Sequence, residues 1–389
     1  MKKVGIVSCY FQKNYGSMLQ AYATQKILDE MGIENETICI DGLKKEINKA
    51  KIKHYFRQIT DIDVVRGKTG FIKNYIYRRL KIAFGKQVAM RNRMFDAFME
   101  DKFRLSKAYS SREELTKDSH NFSAFLVGSD QLWLPSNIEA DYYTLTFVPD
   151  DIRKIAYATS FGTSSLPDRQ IEKARSFLKR IEYLSVREQS GQIIIKQLTG
   201  RNVPIVCDPT LLFSAQEWMD IQKEERIVKD KYIFCYFLGD NPEQRDFVKR
   251  VKVLTGLKIV ALLHLDMYIK SDCRFADITP YDIGPGEFIN LIRNAEYVFT
   301  DSFHGSVFSI LNRKTFFTFR RFKANSSLST NSRLDSLFNF LDLRDRLLST
   351  KENIEECLNR TIDYSSVHKN LEVFRNKSKQ YLKDALNIQ

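Results

Sequence analysis

The stretch "KVGIVSCYFQKNYGSMLQAYATQKILDEMGIENETICI", residues 3–40, decides the fold class. "KVGIVSC" reads as a buried strand and "NYGS" as the turn after it. Leu19, Tyr22, Ala23, Ile27 and Met31 then recur at helical spacing up to Gly32, a residue suited to a helix C-terminus. "ETICI" is the next strand. Strand, helix and strand in that order predict a parallel sheet covered by helices.

The alternation carries on along the chain. After an interruption over residues 44–107, strands are expected at 124–127, 154–159, 183–186 and 203–207, with helices at 168–180 and 188–198. A second series has strands at 232–238, 258–263, 296–300 and 315–319 and helices at 242–255, 285–294, 304–311 and 332–341. A chain of 389 residues is long for one core. The expectation is therefore α/β, with two Rossmann-like domains facing a cleft. The first spans 1–213 and the second 214–365, and a C-terminal helix over 366–389 can return to the first.

Hydrophobic content of 43% and charged content of 28% fit a folded globular chain. The six cysteines are scattered without a C-x-x-C pair, each in or beside an apolar or helical segment, so buried free thiols are expected. The five histidines lack ligand spacing, so no metal is expected. No apolar stretch approaches the roughly 20 residues that span a bilayer. The lysines before the first apolar run look like a signal peptide, but that run covers only 4–11, alternates like a strand and precedes no small-residue cleavage site. The expectation is a cytoplasmic protein.

In parallel α/β sheets, ligands bind beyond the carboxyl ends of strands. Polar clusters fall at such ends: Asn14-Tyr15-Gly16-Ser17, Gly128-Ser129-Asp130-Gln131, Ser160-Phe161-Gly162, Arg187-Glu188, Asp208-Pro209-Thr210 and Asp301-Ser302-Phe303-His304-Gly305. Each is also what a turn or helix cap requires. Both halves place them on what should be the same edge, however, and a cleft between the halves would collect them. Neither G-x-G-x-x-G nor G-x-x-x-x-G-K-[ST] occurs, which argues against a dinucleotide and a P-loop. His304 should lie in the first turn of a helix, near the positive end of the dipole, where a neutral ring is favoured. Such a ring can accept a proton and later donate it. Gly305 beside it leaves room for a ligand. The bland reading is a half-buried histidine hydrogen-bonded to Asp301.

The motifs "NYGSMLQAYATQ", "VGSDQLW", "YATSFG", "SVRE", "CDPTLL", "TDSFHGSVFSI" and "NSRLDSLFNFL" occur in this order between residues 14 and 341. Together they make the chain similar to the polysaccharide pyruvyl transferase family. The resemblance implies a GT-B-like architecture and transfer of a pyruvyl group from phosphoenolpyruvate to two hydroxyls of one sugar, such as galactose or a hexosamine. It implies a lipid-linked precursor of a surface polysaccharide as acceptor, and phosphoenolpyruvate as co-substrate with no resident cofactor. His304 matches the family's proposed catalytic histidine, and Arg187 in "SVRE" matches an arginine used on the donor. Many members carry Arg-Leu-His-Gly where this chain has Ser302-Phe303-His304-Gly305, so either another base, Arg333, Arg320 or Arg321, replaces the missing guanidinium or the donor differs.

Motifs and strand ends together make His304 and Asp301 the expected catalytic pair. Donor contacts are expected from Arg187, Ser302, Gly305, Ser306, Arg333 and Ser160. The acceptor or cleft side should include Asn14, Gly16, Ser17, Gln20, Ser129, Asp130, Gln131 and Trp133, the last stacking on a sugar or sitting in the core. A nucleotide-sugar glycosyltransferase on the same scaffold is the alternative, because a fold does not fix a donor.

The net charge of +13 is concentrated in residues 44–107, where 18 Lys and Arg face 6 Asp and Glu with aromatics interleaved. Such a surface suits anionic headgroups, so the insert is expected to touch the inner face of the cell membrane. It suits a basic lid over an acidic substrate equally well. No nucleic-acid-binding motif accompanies it, and nucleic acid is not an expected partner.

Overall fold

The computed structural model describes residues 3–56, 82–265, 268–322 and 331–388. Two five-stranded sheets, parallel throughout, organise the chain. The first contains β1 (Lys3–Val7), β2 (Asn35–Thr37), β3 (Phe122–Asp130), β4 (Arg153–Thr159) and β5 (Tyr183–Val186), in the order β2-β1-β3-β4-β5. The second contains β6 (Tyr232–Tyr236), β7 (Lys258–Ala261), β8 (Tyr297–Thr300), β9 (Thr315–Phe319) and β10 (Leu347–Leu348), in the order β10-β9-β8-β6-β7. Each sheet reverses its strand order near the middle, which opens a crevice at its carboxyl edge.

Strands covered on both faces need apolar side chains on both, and "YIFCY" of β6 is buried throughout. Its residues alternate between two cores. Tyr232, Phe234 and Tyr236 join the core shared with the first lobe, whereas Ile233 and Cys235 point to a smaller core on the far face. The two lobes are therefore welded through one continuous apolar interior. Tyr15 illustrates the weld: its ring stacks on Phe288 at 4.7 Å, and its hydroxyl donates to Ile283 O at 3.0 Å.

Two expected elements come out differently, and one strand was not expected. Residues 203–207 form no strand, only one bridge between Val186 and Ile205, because Pro204 brings no N–H to a ladder. Strand β2 ends at Thr37 rather than Ile40, since the N–H groups of Cys39 and Ile40 turn to Ser106 Oγ (2.9 Å) and Tyr10 Oη (3.1 Å). The short β10 carries too little pattern to be foreseen. One cysteine also departs from expectation: Cys273 is exposed, the other five buried.

The C-terminal helix Tyr364–Leu386 packs back on the first lobe. Arg375 donates to the carbonyl of Phe213 (2.7 Å), Ser378 accepts from Cys207 N (2.9 Å), and Tyr381 donates to Ala156 O (3.0 Å). The basic insert contributes two helices, Lys44–Phe56 and Ile82–Lys102. The first packs on the helix Pro135–Ala140 beside the cleft, and Arg91 of the second donates to Leu263 O of the other lobe at 2.8 Å. The middle of the insert, 57–81, with 7 of its 18 Lys and Arg, lies outside the described residues. No helix among the described residues is long and apolar enough to cross a membrane.

Candidate active site

The carboxyl edges of the two sheets meet across a cavity of about 260 Å³. Asn14, Ser17, Asp130, Gln131 and Asn137 line it from the first lobe, and Ser302, Phe303, His304, Arg321 and Arg333 from the second. Lys51, from the insert, lines it too. Two helices start at this cavity. Asn14 caps Tyr15–Glu30 by accepting from Ser17 N at 3.1 Å, and Ser302 caps Phe303–Leu311 by accepting from Gly305 N at 3.3 Å. Neither first turn contains an acidic residue, so both positive helix ends favour an anion in the space between them.

His304 sits in the first turn of Phe303–Leu311 and is 6% exposed. Its Nε2 lies 3.5 Å from Asp208 Oδ1, an electrostatic contact rather than a tight hydrogen bond. The Nδ1 side of the ring presses on Gly16, where a β-carbon would overlap the imidazole. The second lobe thus supplies the ring, and the first lobe supplies the carboxylate and the glycine backbone that orient it.

Asp208 belongs to a buried charge network. It accepts from Thr210 Oγ1 (2.7 Å), Ser129 Oγ (3.2 Å) and Arg187 Nη1 (2.6 Å). Arg187 Nη2 donates to Asp130 Oδ1 at 2.8 Å, and Ser17 Oγ donates to Asp130 Oδ2 at 2.7 Å. The ring of Phe303 covers the Arg187 guanidinium at 4.8 Å. Burial alone would raise both carboxyls, but His304, Arg187 and Thr210 hold Asp208 well below the usual range. Arg187, His304, Arg333 and Ser17 do the same for Asp130. Both are fixed anions that hold the imidazole and a guanidinium in place. Glu188, fully buried beside Arg187, is pushed upward by its burial.

Arg333 is the opposite case. Burial and the neighbouring Arg187 push it down to about 9, with Asp130, 3.9 Å away, compensating in part. A guanidinium keeps its proton at neutral pH, so this strain is a standing preference for an anion in the cavity. Arg321, on the same wall, has Nε 3.7 Å from Asp301 Oδ1.

Several expected roles do not fit this geometry. Asp301 does not contact His304: its carboxylate accepts from the N–H groups of Leu238 (2.7 Å) and Gly239 (2.8 Å), leaving it to anchor Arg321. Arg187 is consumed by two carboxylates and does not line the cavity, so it is no free donor-binding cation. Trp133 is a core residue whose indole N–H donates to Tyr143 O at 3.0 Å, so its ring cannot stack on a sugar. Gly305 makes room for Thr300, not for a ligand.

Four more of the expected residues act from behind the cavity wall. Gln20 links Ser17 O to Ser129 N, and Ser129 reaches Ala158 O and Asp208. Ser160 accepts from Gly162 N, and Ser306 bonds Ser302 O and Thr318. Of the proposed substitutes for the family arginine, Arg333 and Arg321 line the cavity, while Arg320 pairs with Asp335 on the surface. Asp208 and Lys51 went unassigned in the sequence. The "CDPTLL" motif contains the first, whereas no local signal separates the second from its neighbouring lysines. Among the described residues no group of three His, Cys, Asp or Glu could hold a metal ion.

Residues 14–321, which include every cavity-lining residue except Cys9, Gln12 and Arg333, match the polysaccharide pyruvyl transferase family. The chain belongs to that family. Membership makes it a transferase acting on polysaccharide, and six of the seven motifs lie within the matched residues. No curated protein sequence matches the chain. Among solved structures, the wall teichoic acid polymerase TagF is similar at a TM-score of 0.50 and 10% identity, over 100% of this chain and 90% of that one. A putative UDP-N-acetylglucosamine 2-epimerase from Listeria monocytogenes is similar at 0.50 and 10%, over 97% of this chain and 91% of that one. At such identities the likeness shows the fold alone, and that fold is GT-B.

Proposed function

We propose that this member of the family forms a pyruvate ketal on a sugar of a lipid-linked surface-polysaccharide precursor, with phosphoenolpyruvate as donor. One observation carries the reading. A histidine oriented by a buried carboxylate opens onto the same small cavity as two guanidinium groups. The donor's carboxylate and phosphate need such cations, and its enol carbon needs a proton carrier.

The reaction balances with these groups alone. His304 delivers a proton to the methylene carbon, and the adjacent carbon becomes oxocarbenium-like. A sugar hydroxyl adds there and gives up its proton, which restores the imidazolium. The carbon–oxygen bond to phosphate then breaks, and a second hydroxyl of the sugar takes its place. Its proton leaves with the phosphate. The products are a cyclic ketal and inorganic phosphate. Asp208 favours each imidazolium stage, and Arg333 and Arg321 gather the charge that departs with phosphate.

Acceptor-dependent release of phosphate from phosphoenolpyruvate, with a mass gain of one pyruvate less one water on a lipid-linked glycoside, is the expected outcome. Release of a nucleoside diphosphate from a nucleotide sugar would replace this reading with a glycosyltransferase.

A further inference from the structure

Among the described residues, three cationic side chains line the cavity, and they are not equivalent. Arg321 and Arg333 each lie beside a carboxylate, Asp301 at 3.7 Å and Asp130 at 3.9 Å. Lys51 has no hydrogen bond or ion pair among the described residues. Burial nevertheless pushes it below the ordinary lysine range, so its charge is held where water solvates it poorly. Its helix, Lys44–Phe56, faces the cleft through its packing on Pro135–Ala140, whose Ser136 and Asn137 line the same cavity. The other lysines nearby, Lys49 and Lys53, are exposed.

A desolvated ammonium without a counter-ion costs stability unless an anion joins it. Sugar hydroxyls are neutral and supply none. The anionic groups of the reaction are the donor's carboxylate and phosphate, and the two guanidinium groups that could take them are already shared with protein carboxylates. We propose that Lys51 is a donor-binding residue, contacting an oxyanion of the phosphorylated substrate, and that the basic insert is thereby a working wall of the active site. Lysine suits this place because it meets oxygens as a compact point charge with no planar geometry to satisfy. The proposal rests on the phosphoenolpyruvate reading above.

Calorimetric titration of the full chain with phosphoenolpyruvate tests both, and separates them. Lys51→Met should weaken binding tenfold or more, Lys51→Arg should recover most of the loss, and Lys53→Met, which removes the same charge from the exposed face, should change affinity less than twofold. Lys51→Gln stands in if the methionine variant does not fold. Wild-type binding that survives Lys51→Met or Lys51→Gln within twofold overturns the proposal. Absence of binding by the wild type brings down the donor assignment itself, and Lys51's role with it.

Discussion

Among the described residues, two histidine–aspartate pairs have side chains largely withdrawn from solvent, and they are built to opposite plans. His264 and Asp272 lie eight residues apart, with Nδ1 2.8 Å from Oδ2 and the His264 N–H on the same oxygen at 3.1 Å. Arg245 closes the other side of that carboxylate through Nε (2.8 Å) and Nη2 (2.6 Å), under the rings of Phe237 and Phe275. This pair ties the loop after β7 to the helix Pro242–Thr255. His304 and Asp208 come from different lobes and stand 3.5 Å apart, and His304 borders a cavity that also holds cations. The tight pair lies within one lobe and is clamped by Arg245, although it too lines a cavity, of about 390 Å³. A looser pair across two lobes leaves the imidazole free to exchange its proton with something else.

Exchanging the histidines should give the largest contrast. His304→Gln is expected to lower kcat by about 10²–10⁴-fold, the usual worth of a general acid–base group, while the melting temperature stays close to that of the parent. His264→Gln should do the reverse, lowering the melting temperature while activity per folded molecule survives. Equal kinetic losses in the two variants would erase the distinction. The aspartates come next. Asp208→Asn strips Arg187 of one of its two carboxylates, and Asp272→Asn strips Arg245 of its ion-pair partner. Each should destabilise by about 3–5 kcal/mol in urea unfolding, because each leaves a buried guanidinium undercompensated. Only Asp208→Asn should also depress turnover of the molecules that remain folded.

What could be read from the chain follows the range of the interactions. Strands β6, β8 and β9 announce themselves because burial on both faces demands unbroken apolar runs. Ser302 and Asn14 are legible as caps because a cap bonds its own next turn. Asp301 was misjudged because its nearest donors in space are the amides of Leu238 and Gly239, more than 60 residues earlier. The same holds for Arg187, whose appetite for Asp130 and Asp208 appears only when the ends of β3 and β5 converge with the segment after residue 207. Lys51 is one lysine among many until the helix that bears it is laid beside the cleft.

Gly16 gives a smaller test of how the cross-lobe pair is held. A methyl group there collides with the Nδ1 side of His304 and must push the ring aside. Gly16→Ala should lower kcat by up to about 10²-fold, the cost of misplacing a reacting group by roughly 1 Å. Affinity for phosphoenolpyruvate should change much less, because the cations do not move. A proportional loss of donor affinity would show instead that Gly16 shapes the donor pocket.

Acid titration is the finest discriminator. Both Asp208 and Asp272 are held below the ordinary aspartate range: burial opposes this, but His304 and Arg187 outweigh it for the first, as His264 and Arg245 do for the second. In the unfolded chain each protonates near pH 4, while in the folded chain each resists until lower pH. Below about pH 4 the unfolded state therefore binds more protons. The stability that each carboxylate contributes is complete above that pH and drains away as the pH falls toward the folded value, by at most about 1.4 kcal/mol per pH unit per group. Removing either carboxyl should flatten the acid limb of the stability curve. The pairs differ in what accompanies that change: with Asp208→Asn the pH–rate profile should shift as well, because the imidazole that loses its anion is the one in the cavity, whereas with Asp272→Asn the profile should keep its shape. A profile that moves in both variants would mean that the loop after β7 reports to the active site, and the division between an architectural and a working pair would fail.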